Sequence, residues 1–290
     1  MKKDRNAIIL AHNYQLGEIQ DIADYVGDSL ELARKAAQTQ ASVIVFCGVH
    51  FMAETAAITC PNKLVLLPEE HAGCPMADMI TADDVKQLQK TYPGAPAVCY
   101  VNTSAAVKAE CHTCCTSANA VRVVNSLPQD EIIFAPDKFL GAFVQRQTEK
   151  KLHLWPGFCP THARILPQHI LRRKEEHPAA LVVAHPECRP EVQALADAVL
   201  STGGMVSYAR RTEVTELIVG TEIGIIHRLQ KENPLKRFYP VSEQAVCPNM
   251  KRTTEEKILW ALEELKTEVK VPEAIRARAH KAIERMLAIA

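Results

Sequence analysis

The sequence has no apolar run of 18 residues, so it offers no candidate for a membrane-spanning helix, and no membrane partner is expected. Its opening, MKKDRNAIILAHNYQ, carries charge but too short an apolar stretch for a signal peptide, which leads to the expectation of a cytoplasmic protein. Net charge is missing as well. Thirty-four basic residues balance 34 acidic ones, and neither sign gathers into a long block. The basic footprint of a nucleic-acid binder is therefore absent, and no nucleic-acid partner is expected. Aromatic residues make up only 5%, which disfavours an architecture built on aromatic stacking. No GxGxxG follows a strand-like run, which removes the dinucleotide fingerprint. A dense CxxCxxC run, the simplest iron–sulfur signature, is also lacking.

Cysteine itself is plentiful, with ten in 290 residues. A chain this long is no disulfide-stapled scaffold, so reduced thiols are expected. Cys47, Cys60 and Cys99 lie in apolar surroundings and read as small buried hydrophobes. Three others share a context. Cys74-Pro75, Cys159-Pro160 and Cys247-Pro248 each follow, within a few residues, a short apolar run closed by proline, and the cysteines are 85 and 88 residues apart.

The spacing reflects a repeat. IILAH, SVIVFCG and KLVLLP read as strands separated by helices, and the order returns as PAVCYVN, EIIFAPD and KLHLWP, then as AALVVAH, ELIVG and LKRFYP. AHNYQLGEIQDIAD also resembles AHPECRPEVQALAD. A period of about 87 residues is too long for a solenoid and suits a small domain. The expected fold is α/β: three similar small α/β/α domains with parallel sheets, set with pseudo-threefold symmetry around a central active site. The domains are placed at 1–92, 93–177 and 178–252, contributing Cys74, Cys159 and Cys247 in turn, with C-terminal helices at 253–290 packing on the first. In these helices Thr253 and Glu256 read as a capping box, with a break near Pro272.

Ligands collect beyond the carboxyl ends of parallel strands, and each Cys-Pro lies just beyond such an end. Three thiolates pointing into one centre form an incomplete metal shell. It suits zinc with a water, or a 4Fe-4S cluster whose fourth iron is open to act as a Lewis acid. The alternative is three small residues left by duplication, packing their loops.

Further motifs occur in a fixed order: HNYQ at 12–15, GDSLELA at 27–33, GCPMADM at 73–79, YVNTSAAVKA at 100–109, CTSANAV at 115–121, APDKFLG at 135–141, GFCPTH at 157–162, HPEC at 185–188, STGGM at 201–205, VGTEIG at 219–224 and CPNMKRTTEEK at 247–257. Together they resemble the quinolinate synthase family, the A protein of bacterial NAD biosynthesis. The resemblance implies one 4Fe-4S cluster per chain, held by Cys74, Cys159 and Cys247 with one iron open. It also implies condensation of iminoaspartate with dihydroxyacetone phosphate to quinolinate, with loss of phosphate and two waters. The enzyme supplying iminoaspartate becomes a candidate partner.

Site residues follow from the same resemblance. Tyr14 is assigned to proton transfer, Glu187 to acid or base work, and Tyr100 with Asn102 to holding substrate beside the iron. His12 and His185 are expected to meet substrate carboxylates, and Ser29, Ser117, Ser201 and Thr202 to bind carboxylate or phosphate oxygens at helix starts. His185 and Glu187, two apart on an extended segment, would face one side. His162, three residues after Cys159, is expected to donate toward the cluster or a bound substrate, with a cap on the following helix as the alternative. Cys111 and Cys114, spaced CxxC, read as exposed or redox-prone thiols, with a cluster recruiting Cys111 as a lesser alternative. The chain reaches HNYQ at residue 12, earlier than the resemblance implies; a shortened piece or a short natural form would both give this. A different cluster-dependent dehydratase, or an iron–sulfur redox sensor, would share many of these features.

Overall fold

The computed structural model describes residues 1–289. Twelve strands form three separate four-stranded sheets. The first holds β1 (Ala7–His12), β2 (Tyr25–Gly27), β3 (Val43–Cys47) and β4 (Leu64–Leu66). The second holds β5 (Ala97–Tyr100), β6 (Thr113–Cys115), β7 (Glu131–Ala135) and β8 (Lys151–Leu154). The third holds β9 (Leu181–Ala184), β10 (Ala198–Val199), β11 (Glu216–Gly220) and β12 (Arg237–Pro240). Every pairing is parallel, and the orders are the same in kind: β2-β1-β3-β4, β6-β5-β7-β8 and β10-β9-β11-β12.

The central strands read VIVFC, EIIFA and ELIVG because helices cover both faces, leaving no polar side to alternate with. Each unit also has a fourth, edge strand of two or three residues, β2, β6 or β10, too short for its pattern to be legible beforehand. A large apolar core runs through all three units, with satellites outside the first and third sheets.

The C-terminal helices divide their packing. Helix Glu255–Glu264 buries Ile258, Ala261 and Leu262 on the outer face of the first sheet. Helix Glu273–Ala288, expected on the first unit, lies chiefly against β6 and helix Ala105–Glu110 of the second, with helix His50–Thr59 of the first also in contact. Its small residues Ala279 and Ala282 allow that close approach, and Asn119 Nδ2 donates to the Met286 carbonyl at 3.3 Å. The helix cap is Thr254, whose hydroxyl accepts from Lys257 N at 3.3 Å, rather than Thr253. No helix among the described residues is long and apolar enough to cross a membrane.

Candidate active site at the junction of three sheets

Strand register sets the site. The pairs Ala11–Cys47, Cys99–Ala135 and Ala184–Gly220 close the central ladders at the carboxyl ends of the three sheets. The next residue on the first strand of each unit is then His12, Tyr100 or His185, and two further on stand Tyr14, Asn102 and Glu187. Main-chain bonds support this alignment: Asn13 N donates to Gly27 O at 3.0 Å and Val101 N to Cys115 O at 2.9 Å. The third unit has Pro186 at this position, which lacks an N–H, so its ladder stops one pair earlier; His185 and Glu187 lie in a turn instead of an extended segment, and His12 to Gln15 of the first unit make the matching turn. All six side chains line one cavity of about 210 Å³.

Edge strands deliver a second ring. Two residues past the register level of Gly27, Cys115 and Leu200 stand Ser29, Ser117 and Thr202, and all three line the same cavity. Ser201 occupies the position matching Asp28 and caps helix Thr202–Ala209, its hydroxyl accepting from Gly204 N at 3.1 Å. Asp28 likewise caps helix Ser29–Gln38. Of the expected hydroxyls, Ser201 is the one absent from the cavity wall, and its oxygen caps its own helix.

Cys74, Cys159 and Cys247 all reach the cavity. Each precedes a proline and a short helical turn: Ala77–Met79, Pro160–Ala163 and Asn249–Lys251. Pro160 takes the first helical position, where no N–H partner is needed, Pro248 is the cap of its turn and Pro75 stands one residue before the cap; in each case the following amides are free to point back at sulfur. Ala77 and Met76 aim amides at Cys74, His162 at Cys159, and Met250 and Asn249 at Cys247. Burial nevertheless pushes the Cys74 thiol up to about 12 and raises the other two. Three convergent sulfurs with amide donors fit a thiolate-bound metal group. Among the described residues, Cys159, His162 and Glu187 also bring donor atoms within 4.8 Å of one another.

A chain of hydrogen bonds joins the three units across the cavity. Tyr14 Oη meets Thr221 Oγ1 at 2.5 Å, and His162 Nε2 lies 2.8 Å from the same hydroxyl. His162 Nδ1 stands 2.7 Å from Glu187 Oε2, and Tyr100 Oη donates to Glu187 Oε1 at 2.6 Å. Burial opposes the Glu187 charge, but His162, His185 and the Tyr100 hydroxyl outweigh it and hold the carboxyl below the usual range. Burial raises both phenols, with the Glu187 charge adding to it, so they stay protonated. His12 and His185 fall to about 3, chiefly through burial, and are neutral. His185 Nε2 pairs with Ser117 Oγ at 3.2 Å, and Asn102 keeps Oδ1 buried without a partner, as a binding site for a polar molecule requires.

The family described as Quinolinate synthetase A protein matches residues 1–288. This chain belongs to that family. A quinolinate synthase of Dehalococcoides mccartyi is 65% identical over 289 residues, covering 100% of this chain and 96% of the relative. That of Thermodesulfovibrio yellowstonii is 57% identical over 290 residues, with the same coverage of each chain. The quinolinate synthase 1 of Methanosarcina acetivorans is 55% identical over 289 residues, covering 100% of this chain and 95% of the relative.

Other thiols lie elsewhere. Cys111 is 9% exposed and Cys114 0%, so of the two readings of the CxxC pair, exposed or redox-prone, exposure is excluded: both lie buried beneath helix Glu273–Ala288 and its neighbours. Cys114 Sγ lies 3.6 Å from Cys99 Sγ on the adjacent strand. Thr221, like Glu222 and Lys108, matches the family's motifs, a match that leaves catalytic use and pairing between units equally open. Its signal was present in the VGTEIG motif, but only the fold places it between Tyr14 and His162.

Proposed function

We propose that this chain is a quinolinate synthase that condenses iminoaspartate with dihydroxyacetone phosphate, releasing phosphate and two waters, with a 4Fe-4S cluster held by Cys74, Cys159 and Cys247. The observation that carries this reading is the convergence of those cysteines with Tyr14, Tyr100 and Glu187 on one cavity wall. When bound, a cluster with one open iron would supply a Lewis acid for hydroxyl loss.

The remaining work falls to side chains. Ser29, Ser117 and Thr202 are placed to donate to carboxylate or phosphate oxygens, and neutral His12 keeps its Nε2–H for the same purpose because its Nδ1 accepts from Tyr14 N. His185, whose Nδ1 accepts from Glu187 N, gives its Nε2–H to Ser117 Oγ and so turns that hydroxyl's proton toward the cavity. Asn102 can accept from the substrate amine or a hydroxyl through its unpartnered Oδ1. Glu187, held anionic, is the group to take a proton, and Tyr14 and Tyr100, held protonated, are the groups to give one. The Thr221–His162 link gives protons a route between Tyr14 and Glu187 without bulk water.

Anaerobic iron and sulfide analysis of the reconstituted chain, beside Cys74→Ser, Cys159→Ser and Cys247→Ser, tests this on samples also assayed for quinolinate. About four irons in the parent, loss in all three variants and product from the two substrates are expected. A stable cluster without product would refute the synthase reading, and zinc or no metal would refute the cluster.

A further inference from the structure

The second residue beyond the third strand of each unit occupies a matched position: Val49 after β3, Asp137 after β7 and Glu222 after β11. Val49 packs into the core. The other two are fully buried carboxyl groups. Asp137 Oδ2 accepts the main-chain N–H of Cys159 at 3.2 Å, while Oδ1 accepts those of Phe139 and Leu140 at 2.8 Å. Glu222 Oε1 accepts the main-chain N–H of Cys247 at 3.1 Å, and Oε2 accepts that of Gly224 at 2.7 Å. Lys251 Nζ lies 2.9 Å from Glu222 Oε1, tying in the helical turn that follows Cys247.

We propose that Asp137 and Glu222 are paired positioning residues that fix Cys159 and Cys247, through the cysteines' own amides, to the strand ends on which the active site is built. This rests on the reading that the three cysteines share one iron–sulfur group. A loop cysteine left to its own loop would present sulfur over a range of directions; a buried carboxylate clamped to a strand end removes that freedom. The clamp needs both oxygens. An amide retains one acceptor oxygen, so Asp137→Asn must give up either the Cys159 amide or the helix cap, and Glu222→Gln either the Cys247 amide or the Gly224 amide.

Iron release to a chelator under anaerobic conditions, from the reconstituted full chain, is the direct test. Asp137→Asn and Glu222→Gln are each expected to release iron about tenfold faster than the parent and to alter the paramagnetic resonance spectrum of the reduced cluster. Asp84→Asn, which disturbs the capping box of helix Ala82–Thr91, is the control and should change neither. Thermal unfolding of the metal-free forms separates general damage from loss of the clamp. Release rates within twofold of the parent and an unmoved spectrum would overturn the proposal, whatever happens to melting. If Asp137→Asn fails to fold because of its capping role, Glu222→Gln decides alone. A parent chain that binds no iron refutes the underlying reading instead, a result distinct from a loaded parent matched by its variants.

Discussion

Replacing Thr221 by valine removes one oxygen and changes little in shape, yet that oxygen makes the short link between Tyr14 at 2.5 Å and His162 Nε2 at 2.8 Å. Thr221 is fully buried, so water cannot take over without displacing its neighbours. Two polar groups then lose a partner, although Tyr14 Oη still has His162 Nε2 at 3.4 Å as a weaker substitute. One buried unsatisfied group costs about 1–3 kcal/mol, and the residual contact offsets part of the second, so a stability loss of about 2 kcal/mol is expected. For a chain of this size that is a melting shift of roughly 4–8 °C. Activity should fall further than stability suggests. If protons cross between Tyr14 and Glu187 by this bridge, kcat should drop by about a hundredfold, at the lower end of acid–base effects, with KM for both substrates unchanged. Thr221→Ser restores the hydroxyl and should recover most of the rate. Steady-state kinetics on iron-matched samples decide it: a valine variant within twofold of the parent kcat, or a serine variant as slow as valine, would refute the bridge.

Ser201→Ala should cost about 1 kcal/mol in urea unfolding and leave substrate KM unmoved, since Ser201 caps its helix; Thr202→Val should raise KM, and the reverse pattern would contradict the register argument. Acid should destabilise the metal-free chain early. His12 and His185 ionise near 3 when folded and near 6.5 when unfolded, so the unfolded chain takes up protons that the folded one refuses. Stability is full above pH 6.5 and declines toward about 3, by up to about 1.4 kcal/mol per pH unit for each histidine, and His12→Asn should flatten the slope measured by urea unfolding between pH 6.5 and 5. Gly157→Ala would bring Cβ to 2.6 Å from the Pro136 carbonyl, which is backbone and cannot swing aside. A loss of about 1–3 kcal/mol in thermal unfolding and faster iron release are expected; an unchanged melting temperature would show that the Cys159 loop is less confined than the contacts imply.

The repeat was legible because duplication preserved things a sequence displays: β-branched runs, closing prolines and Cys-Pro pairs. Four-residue buried strands such as LVVA need no tertiary information to be recognised once they recur. The edge strands were illegible because two or three residues carry no periodicity. The final helix was misplaced for another reason. Its buried alanines show that a close partner exists, but both the first and second units present helices that could serve, and only the folded arrangement selects β6 and helix Ala105–Glu110.

At the site the division is similar. Chain chemistry alone singled out Cys74, Cys159 and Cys247, and the likeness of AHNYQ to AHPEC already aligned His12 with His185 and Tyr14 with Glu187. What the sequence by itself determined was therefore the threefold plan and the three cysteines, because local patterns repeat at fixed offsets from strand ends; the other reactive groups came from the family resemblance of their motifs. Tertiary structure decided which hydroxyl of Ser201 and Thr202 faces the cavity, that Cys111 and Cys114 are buried, and that Thr221 joins Tyr14 to His162. Those outcomes depend on strand register and on residues about 150 to 200 positions apart meeting across unit boundaries, where a one-residue shift exchanges a helix cap for a cavity wall.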